Sequence, residues 1–176
     1  MYCIVVDVYL SLPSCLTMVS AAAEIYPEET VGYLVGYPIK SRFIIEYAVP
    51  FQAIESTDDF AWIDENRTAR INRIINRFAE GMEILGTFHS HAGKDSQKAV
   101  PLPSPADINH ILPDEVELIV ALNLKRKEVA WNEGRYTIYG TVDKFHVEIG
   151  GFVRTSTGRG WKRVHINCSG VTGVIP

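Results

Sequence analysis

The stretch Gly86–Asp107 reads GTFHSHAGKDSQKAVPLPSPAD, and the rest of the chain is best interpreted around it. It begins with an apolar, β-prone run that ends in His89-Ser90-His91. Alternate residues of a strand point to the same face of a sheet, so the two imidazoles share one face. Two imidazole nitrogens and one carboxylate leave the fourth position of a tetrahedral ion open, which is typical of catalytic zinc.

The end of the same stretch, Ser104-Pro105-Ala106-Asp107, supplies the carboxylate that we assign as the third ligand. The loop before it can fold back and bring the first turn of the following helix to the end of the strand. The same four residues are also a plain helix start, with a serine N-cap, a proline at the first helical position and an acid in the first turn. Spacing alone leaves capping and ligation open. Both can hold together, because a cap fixes the backbone that directs Asp107.

The segments on either side of this stretch predict a mixture of strands and helices. Strands are expected at residues 3–10, 31–35, 42–49, 117–123, 129–131, 136–139 and 145–149, and helices at 12–26, 61–81 and from 104 to about 112. The turn-prone connection between the second and third strands indicates a hairpin. We therefore predict an α+β fold, with a mixed, largely antiparallel β-sheet flanked by helices.

Length and composition favour a single domain. The chain has 176 residues, of which 47% are hydrophobic, and this is enough for a sizeable core. We assign residues 1–150 to the catalytic domain. Residues 151–176 are rich in Gly, Ser and Thr, so we expect them to form a loose edge or tail of the same domain.

Charge and cysteine usage exclude several classes of protein. The net charge is −4 and basic residues are dispersed apart from Lys125-Arg126-Lys127, which argues against a nucleic-acid partner. The three cysteines, Cys3, Cys15 and Cys168, are widely separated and contain no C-x-x-C pair, so neither a disulfide framework nor a thiolate metal site is expected. No apolar run reaches the roughly 18 residues of a membrane span. We expect a soluble, cytoplasmic protein with no membrane partner.

Three separated motifs carry a family resemblance. The segment Tyr26–Gly36, YPEETVGYLVG, has Glu29 three residues before Gly32, where a strand opens. Together with His89-Ser90-His91 and the S-x-x-D motif at Ser104 and Asp107, it resembles the JAMM/MPN+ (Mov34/MPN/PAD-1) zinc metalloprotease family. The resemblance covers roughly residues 1 to 140, and the combination of the three motifs is specific.

The resemblance implies a fold, a metal and a role for each motif residue. The fold would be the MPN/JAMM, cytidine-deaminase-like one, and Zn²⁺ would be held by His89, His91 and Asp107 with a water in the fourth place. Glu29 would accept the proton of that water and pass it to the leaving amine. Ser104 would donate a hydrogen bond to the tetrahedral intermediate.

The chain differs from the usual family pattern in the loop between the histidines and Ser104. That loop has twelve residues, 92–103, and is longer than usual, and Ala92 stands where the family usually has proline. Asp95 and Ser96 lie inside the loop as alternative candidates. The helix-start context favours Ser104 and Asp107 over them.

The family cleaves isopeptide or peptide bonds after the C-terminal glycine of ubiquitin or ubiquitin-like proteins. The resemblance therefore implies a minimal, prokaryotic-type, deubiquitinase-like isopeptidase. Its partners would be a ubiquitin-like modifier and its conjugates, with a larger complex possible. The alternatives are a noncatalytic MPN scaffold, a zinc hydrolase that processes a sulfur-carrier protein or a small peptide, and a non-haem iron site. The non-ligand acid Glu29 favours hydrolysis over iron chemistry.

Overall fold

The computed structural model describes residues 7–40, 42–51, 65–94, 97–154 and 160–171, and strands predominate among them. The strands are β1 (Asp7–Leu10), β2 (Val31–Ile39), β3 (Arg42–Pro50), β4 (Glu83–Ala92), β5 (Val116–Leu124), β6 (Asn132–Glu133), β7 (Thr137–Val142), β8 (Phe145–Arg154) and β9 (Trp161–Asn167). The helices are α1 (Leu12–Glu24), α2 (Glu65–Phe78) and α3 (Pro105–His110).

The strands form one sheet that closes on itself. Their order is β5-β4-β2-β3-β1-β9-β8-β7-β6, and β5 also pairs with β8. The pairs β1–β3, β1–β9 and β4–β5 are parallel, whereas the other described pairs are antiparallel. The prediction of a mixed, largely antiparallel sheet is thus confirmed. The prediction of a plain sheet flanked by helices is wrong, because the pairing of β5 with β8 turns the sheet into a barrel.

Helix α1 begins at a well-formed cap and covers part of the main core. Ser11 is the N-cap and accepts a hydrogen bond from the backbone N–H of Ser14, and a proline lies in the first turn. The buried positions Cys15, Met18, Val19 and Ala22 recur at helical spacing and pack into the same cluster as the inward-facing residues of the sheet. The predicted helix at 12–26 is therefore confirmed, with its end at Glu24.

Helix α2 covers a second, smaller core cluster. Its partly buried residues Ile71 and Ile75 pack against the cluster of Tyr33, Val35 and Met82. The helix was predicted at residues 61–81 and is observed at Glu65–Phe78, while residues 61–64 lie outside the described part of the chain.

The C-terminal segment is part of the barrel where the structure describes it. Strand β8 runs through residue 150 to Arg154, and β9 lies between β1 and β8. Val164, Ile166 and Cys168 are almost completely buried in the main core. The expectation of a loose edge is therefore wrong for residues 151–154 and 161–167, because residues 161–164 pair with β8 and residues 165–167 pair with β1. The division of the chain at residue 150 stays a prediction.

Two smaller expectations have different outcomes. The hairpin of β2 and β3 is confirmed, with a bulge after Val35. Residues 129–131 are not a strand, since the short β6 begins one residue later at Asn132.

Within the described residues, no helix has both the length and the apolar character needed to cross a bilayer.

The sequence places Cys15 and Cys168 far apart, but the fold brings them together. Both are buried and free, and their side chains are hydrogen-bonded to each other. This contact and burial raise the pKa of the Cys15 thiol far above its ordinary value. The thiol is therefore an inert part of the core, while Cys3 lies outside the described residues.

Candidate metal centre

The two histidines lie on a strand that is held on both edges. Strand β4 pairs with β2 on one side, where Val31 is opposite His89. On the other side it pairs with β5, where Ile119 and Ala121 are opposite the two histidines. The strand ends at Ala92, so both histidines lie among its last four residues, as the sequence predicts. Backbone pairing on both edges keeps the spacing of the two imidazoles constant.

Ser90, which lies between the histidines, anchors the strand to the segment before β2. Its side chain is buried, and its hydroxyl accepts a hydrogen bond from the Thr30 N–H at 2.9 Å. Its own N–H donates to the Thr30 carbonyl at 2.9 Å. The histidine motif and the residues next to Glu29 are therefore fastened to each other.

The structure brings His89, His91 and Asp107 together. The Nε2 atoms of the two histidines are 3.0 Å apart, and Oδ2 of Asp107 lies 3.5 Å from Nε2 of His89 and 3.6 Å from Nε2 of His91. One ligand atom from each of the three residues falls within 4.8 Å of the others, and Asp107 is buried. Their spacing is that of ligands around one ion.

Asp107 takes part in a helix cap and in this cluster at the same time. The Ser104 hydroxyl accepts from the Asp107 N–H at 3.2 Å, and the Ser104 N–H donates to Oδ2 of Asp107 at 2.6 Å, which makes a capping box at the start of α3. The capping interpretation of the S-x-x-D motif is therefore confirmed, and the capped carboxylate faces the histidines, as ligation would require.

The ring nitrogen that faces away from the cluster has a hydrogen-bond acceptor in both histidines. Nδ1 of His89 lies 2.6 Å from Oε1 of Glu117, and Nδ1 of His91 lies 3.0 Å from the carbonyl of Val100. A carboxylate and a carbonyl only accept, so both Nδ1 atoms carry hydrogen. If both rings are neutral, their Nε2 lone pairs face each other across 3.0 Å, an arrangement that a cation between them satisfies. The donor set of two imidazoles and one carboxylate fits zinc, and also iron(II).

Sequence reasoning missed Glu117. Its side chain is buried on β5, where it faces His89 and also accepts a hydrogen bond from the Thr87 hydroxyl. A charged residue inside the apolar run Val116–Leu122 was the available signal, because a buried carboxylate needs a partner.

The loop that follows β4 is held against the sheet near His91. Asn123 on β5 accepts from the Ala99 N–H at 2.8 Å and donates to the Ala99 carbonyl at 3.0 Å. The next residue along is Val100, the hydrogen-bond acceptor of His91. The Tyr26 hydroxyl donates to the carbonyl of Gly93 at the other end of the loop. The longer loop is thus tied down at several points, whereas Asp95 and Ser96 lie outside the described residues.

The electrostatics of the metal-free cluster favour a proton on His89. Burial opposes the charged ring, but hydrogen bonds to Asp107 and Glu117 outweigh burial and raise the pKa of His89 to about 10. Burial likewise opposes ionisation of Asp107, but the two histidines and the Ser104 N–H hold its pKa well below the ordinary range. A proton thus takes the place that a metal ion would occupy between these groups.

Glu29 is not part of the cluster. The next residue, Thr30, is hydrogen-bonded to Ser90, so the backbone beside Glu29 lies next to the histidine strand. The Glu29 side chain is exposed, and among the described residues it has no hydrogen bond or ion pair. Two other histidines are not part of the cluster: His146 is near Glu148, and His165 is near Asp7.

Known proteins resemble the chain in fold. Two solution structures of bacterial proteins share the fold at low sequence identity. A protein from Desulfitobacterium hafniense matches with 18% identity over 92% of each chain and a TM-score of 0.65. A protein from Salinibacter ruber matches with 14% identity over 95% of this chain and 96% of that chain, with a TM-score of 0.54. No curated protein sequence matches the chain.

The family assignment rests on a sequence model that covers most of the site. The model of the prokaryotic homologues of the JAB domain matches residues 13–134, a span that includes Glu29, both histidines, Ser104 and Asp107. The resemblance inferred from the three motifs is confirmed at this level, and the chain belongs to the prokaryotic homologues of the JAB domain.

Proposed function

We propose that the chain is a zinc-dependent hydrolase of the isopeptide or peptide bond that follows the C-terminal glycine of ubiquitin or a ubiquitin-like protein. The observation that carries the proposal is the convergence of His89, His91 and Asp107 within 4.8 Å in a chain of the JAB family. A bound zinc ion would lower the pKa of its water to near 7 and polarise the scissile carbonyl.

Ser104 is suited to stabilise the tetrahedral intermediate. Its oxygen accepts the Asp107 N–H, and among the described residues its hydroxyl hydrogen has no acceptor. That hydrogen is free to point toward an oxygen bound near the cluster. A donor that is already positioned before the substrate arrives loses little free energy to reorganisation during the reaction.

Glu29 is suited to move a proton because its carboxylate is exposed and is not one of the three clustered residues. In the proposed reaction its carboxylate takes one proton from the attacking water, and the same proton then goes to the departing amine. The two hydrogen bonds between Thr30 and Ser90 keep the backbone beside Glu29 fixed to β4.

The loop after β4 offers a path for the substrate chain, because it returns to the metal centre at Val100. The Val100 carbonyl contacts His91, and Val100, Pro101 and Leu102 line a cavity of about 220 Å³. Thr137 and Phe152 line the same cavity. We place the residues beside the scissile bond along this segment.

The test is cleavage of a ubiquitin-like conjugate by the purified protein, with zinc, with chelator, and with the variant Glu29→Gln. We expect zinc to restore activity that chelator removes. We also expect Glu29→Gln to lose about 10²–10⁴-fold in kcat while binding zinc normally. Glu28→Gln is the matched control, since it removes a neighbouring exposed carboxylate, and it should retain activity.

The outcome separates this proposal from its alternatives. Bound zinc without cleavage of any conjugate, peptide or sulfur-carrier fusion would support a noncatalytic scaffold that docks in a larger complex. Cleavage of a sulfur-carrier fusion or a short peptide alone would keep the chemistry and change the substrate. Iron as the bound metal in protein purified without added metal would contradict the zinc assignment.

A further inference from the structure

We propose that Glu117 is a positioning residue of the metal centre, whose carboxylate holds His89 with Nδ1 protonated and Nε2 directed at the ion, and which thereby strengthens metal binding. The inference concerns metal affinity and does not depend on which bond the protein cleaves. It rests on the position of Glu117, on its two partners and on the direction that it imposes on the imidazole.

A buried, charged carboxylate at the position of Glu117 destabilises the fold unless a partner compensates its charge. The Glu117 side chain is only 9% exposed, and its neighbours along β5 from Val116 to Leu122 are all buried. An ionised carboxylate at such a site is destabilising unless it is paired and hydrogen-bonded. Among the described residues no lysine or arginine forms an ion pair with Glu117, so its only cationic partner is the histidine side of the cluster.

Both oxygens of Glu117 are engaged by β4. Oε1 lies 2.6 Å from Nδ1 of His89, and Oε2 accepts from the Thr87 hydroxyl. Thr87 is directly opposite Glu117 in the parallel pairing of β4 with β5, so the two side chains extend from the same face. The Thr87 contact fixes the plane of the carboxylate, and the carboxylate in turn fixes the ring of His89.

The result of this contact is the direction of Nε2. With Nδ1 occupied by Glu117, Nε2 of His89 faces Nε2 of His91 at 3.0 Å and Oδ2 of Asp107 at 3.5 Å. The two histidines are supported unequally, because His91 has only the neutral carbonyl of Val100 behind it. A carboxylate behind an imidazole makes the imidazole a stronger ligand than a carbonyl does. His89 is therefore the stronger of the two imidazole ligands.

The experiment measures zinc affinity by competition with a chromophoric chelator for the wild type, Glu117→Gln and Glu117→Ala. We expect Glu117→Ala to bind zinc about 10–100-fold more weakly. Glu117→Gln should lose less, because the amide oxygen can still accept from Nδ1. Glu128→Gln is the matched control: Glu128 also accepts from a threonine hydroxyl, that of Thr141 at 3.0 Å, but it is not part of the cluster. It should bind zinc as the wild type does.

A spectroscopic measurement keeps the inference testable if the alanine variant does not fold. In the zinc-loaded, ¹⁵N-labelled wild type, long-range ¹H–¹⁵N spectra of the histidine rings report which nitrogen carries hydrogen. We expect His89 to be protonated at Nδ1 and bound to zinc through Nε2. Zinc bound through Nδ1, or a folded Glu117→Ala protein with wild-type affinity, would overturn the inference.

These measurements use zinc alone and no substrate, so they separate the two proposals. Weaker zinc binding by the variants in a protein that cleaves no conjugate would support the role of Glu117 and argue against the proposed activity. Unchanged zinc binding by the variants in a protein that cleaves the conjugate would argue against the role of Glu117 and support the proposed activity. A wild type that binds no zinc would overturn both.

Discussion

At the scale of single residues, the candidate centre is made of side chains that each have two tasks. Asp107 completes a capping box and also faces two imidazoles. Glu117 accepts a hydrogen bond from the Thr87 hydroxyl and also orients His89. Each polar group is therefore already directed before a metal arrives. Such preorganisation lets binding proceed without ordering flexible side chains.

The two tasks of Asp107 can be separated by replacing it with asparagine. The amide oxygen of Asp107→Asn can still accept from the Ser104 N–H, so the cap of α3 should survive, whereas a neutral amide is a much poorer zinc ligand. We expect a loss of zinc affinity larger than the roughly 10–100-fold that an outer partner of a ligand contributes. Chelator competition measures it, and circular dichroism of the metal-free variant checks the fold. Wild-type zinc affinity would show that Asp107 is only a cap.

The raised pKa of His89 predicts how the metal-free protein responds to pH. The folded pKa of about 10 lies above the ordinary value of 6.5, so His89 stabilises the fold fully below pH 6.5 and loses this contribution as pH rises through 10. Chemical denaturation of the chelated protein between pH 6.5 and 10 should show this fall. The variant His89→Gln should show a smaller one.

The proton on His89 also makes the zinc affinity depend on pH. Zinc must displace it, so affinity should rise with pH between 6.5 and 10, by up to about tenfold per unit for one proton. Calorimetry in buffers of different ionisation enthalpy counts the protons released. Zinc binding at pH 7.5 without proton release would contradict the assignment.

At the scale of elements, the site depends on the way β4, β5 and the following loop are joined. Strand β4 carries the histidines, β5 carries Glu117 and Asn123, and the loop returns to the sheet at Ala99 before it reaches α3. Parallel pairing of β4 with β5 puts the supports of the site on the neighbouring strand. The loop then brings Val100, and the helix after it brings Asp107, to the two histidines.

Asn123 tests the connection between this loop and the metal centre. Asn123→Ala removes two hydrogen bonds to Ala99, and we expect it to lower the free energy of unfolding by about 1–3 kcal/mol. Because Val100 then loses its neighbouring anchor, zinc affinity should fall as well. Urea denaturation and chelator competition measure the two effects. The exposed Asn132→Ala serves as control, and equal zinc affinity in both variants would show that the loop is not part of the support.

At the scale of the whole molecule, closure of the sheet decides where the core lies. The pairing of β5 with β8 and the insertion of β9 between β1 and β8 leave the ring of strands without a gap. The inward faces of these strands and α1 then form one main cluster, with smaller clusters outside it. The C-terminal strand is needed for that closure, although it lies beyond residues 13–134 of the family match.

Two isoleucines test the role of the C-terminal strand. Ile166 on β9 is completely buried, whereas Ile74 on α2 is 49% exposed. We expect Ile166→Ala to lower the free energy of unfolding by about 2–5 kcal/mol, because it leaves a cavity in the main core. Ile74→Ala should change it by less than about 0.5 kcal/mol. Thermal unfolding compares them, and a mild effect of Ile166→Ala would mean that β9 contributes little to the core.

The sequence by itself determined the local parts of this protein. Period-two spacing placed His89 and His91 on one face, and capping chemistry placed Ser104 and Asp107 at the start of a helix. Three motifs together indicated the family, and the hairpin and the amphipathic helix α2 were visible in the apolar pattern. All of these depend on residues that are close in the chain, so short-range periodicity and propensity reveal them.

Only the tertiary structure decided which distant residues meet. In the sequence, Glu117 is a single charged residue in an apolar strand. Only the parallel pairing of β4 with β5 shows that it lies beside Thr87 and His89. The Gly- and Thr-rich end of the chain is typical of a loose edge. The structure shows instead that it contains β9, which pairs with β1 and β8. Closure of the sheet likewise depends on strand pairs that are remote in sequence. Such pairings follow from the burial and backbone hydrogen bonding of the whole sheet, and no local pattern records them.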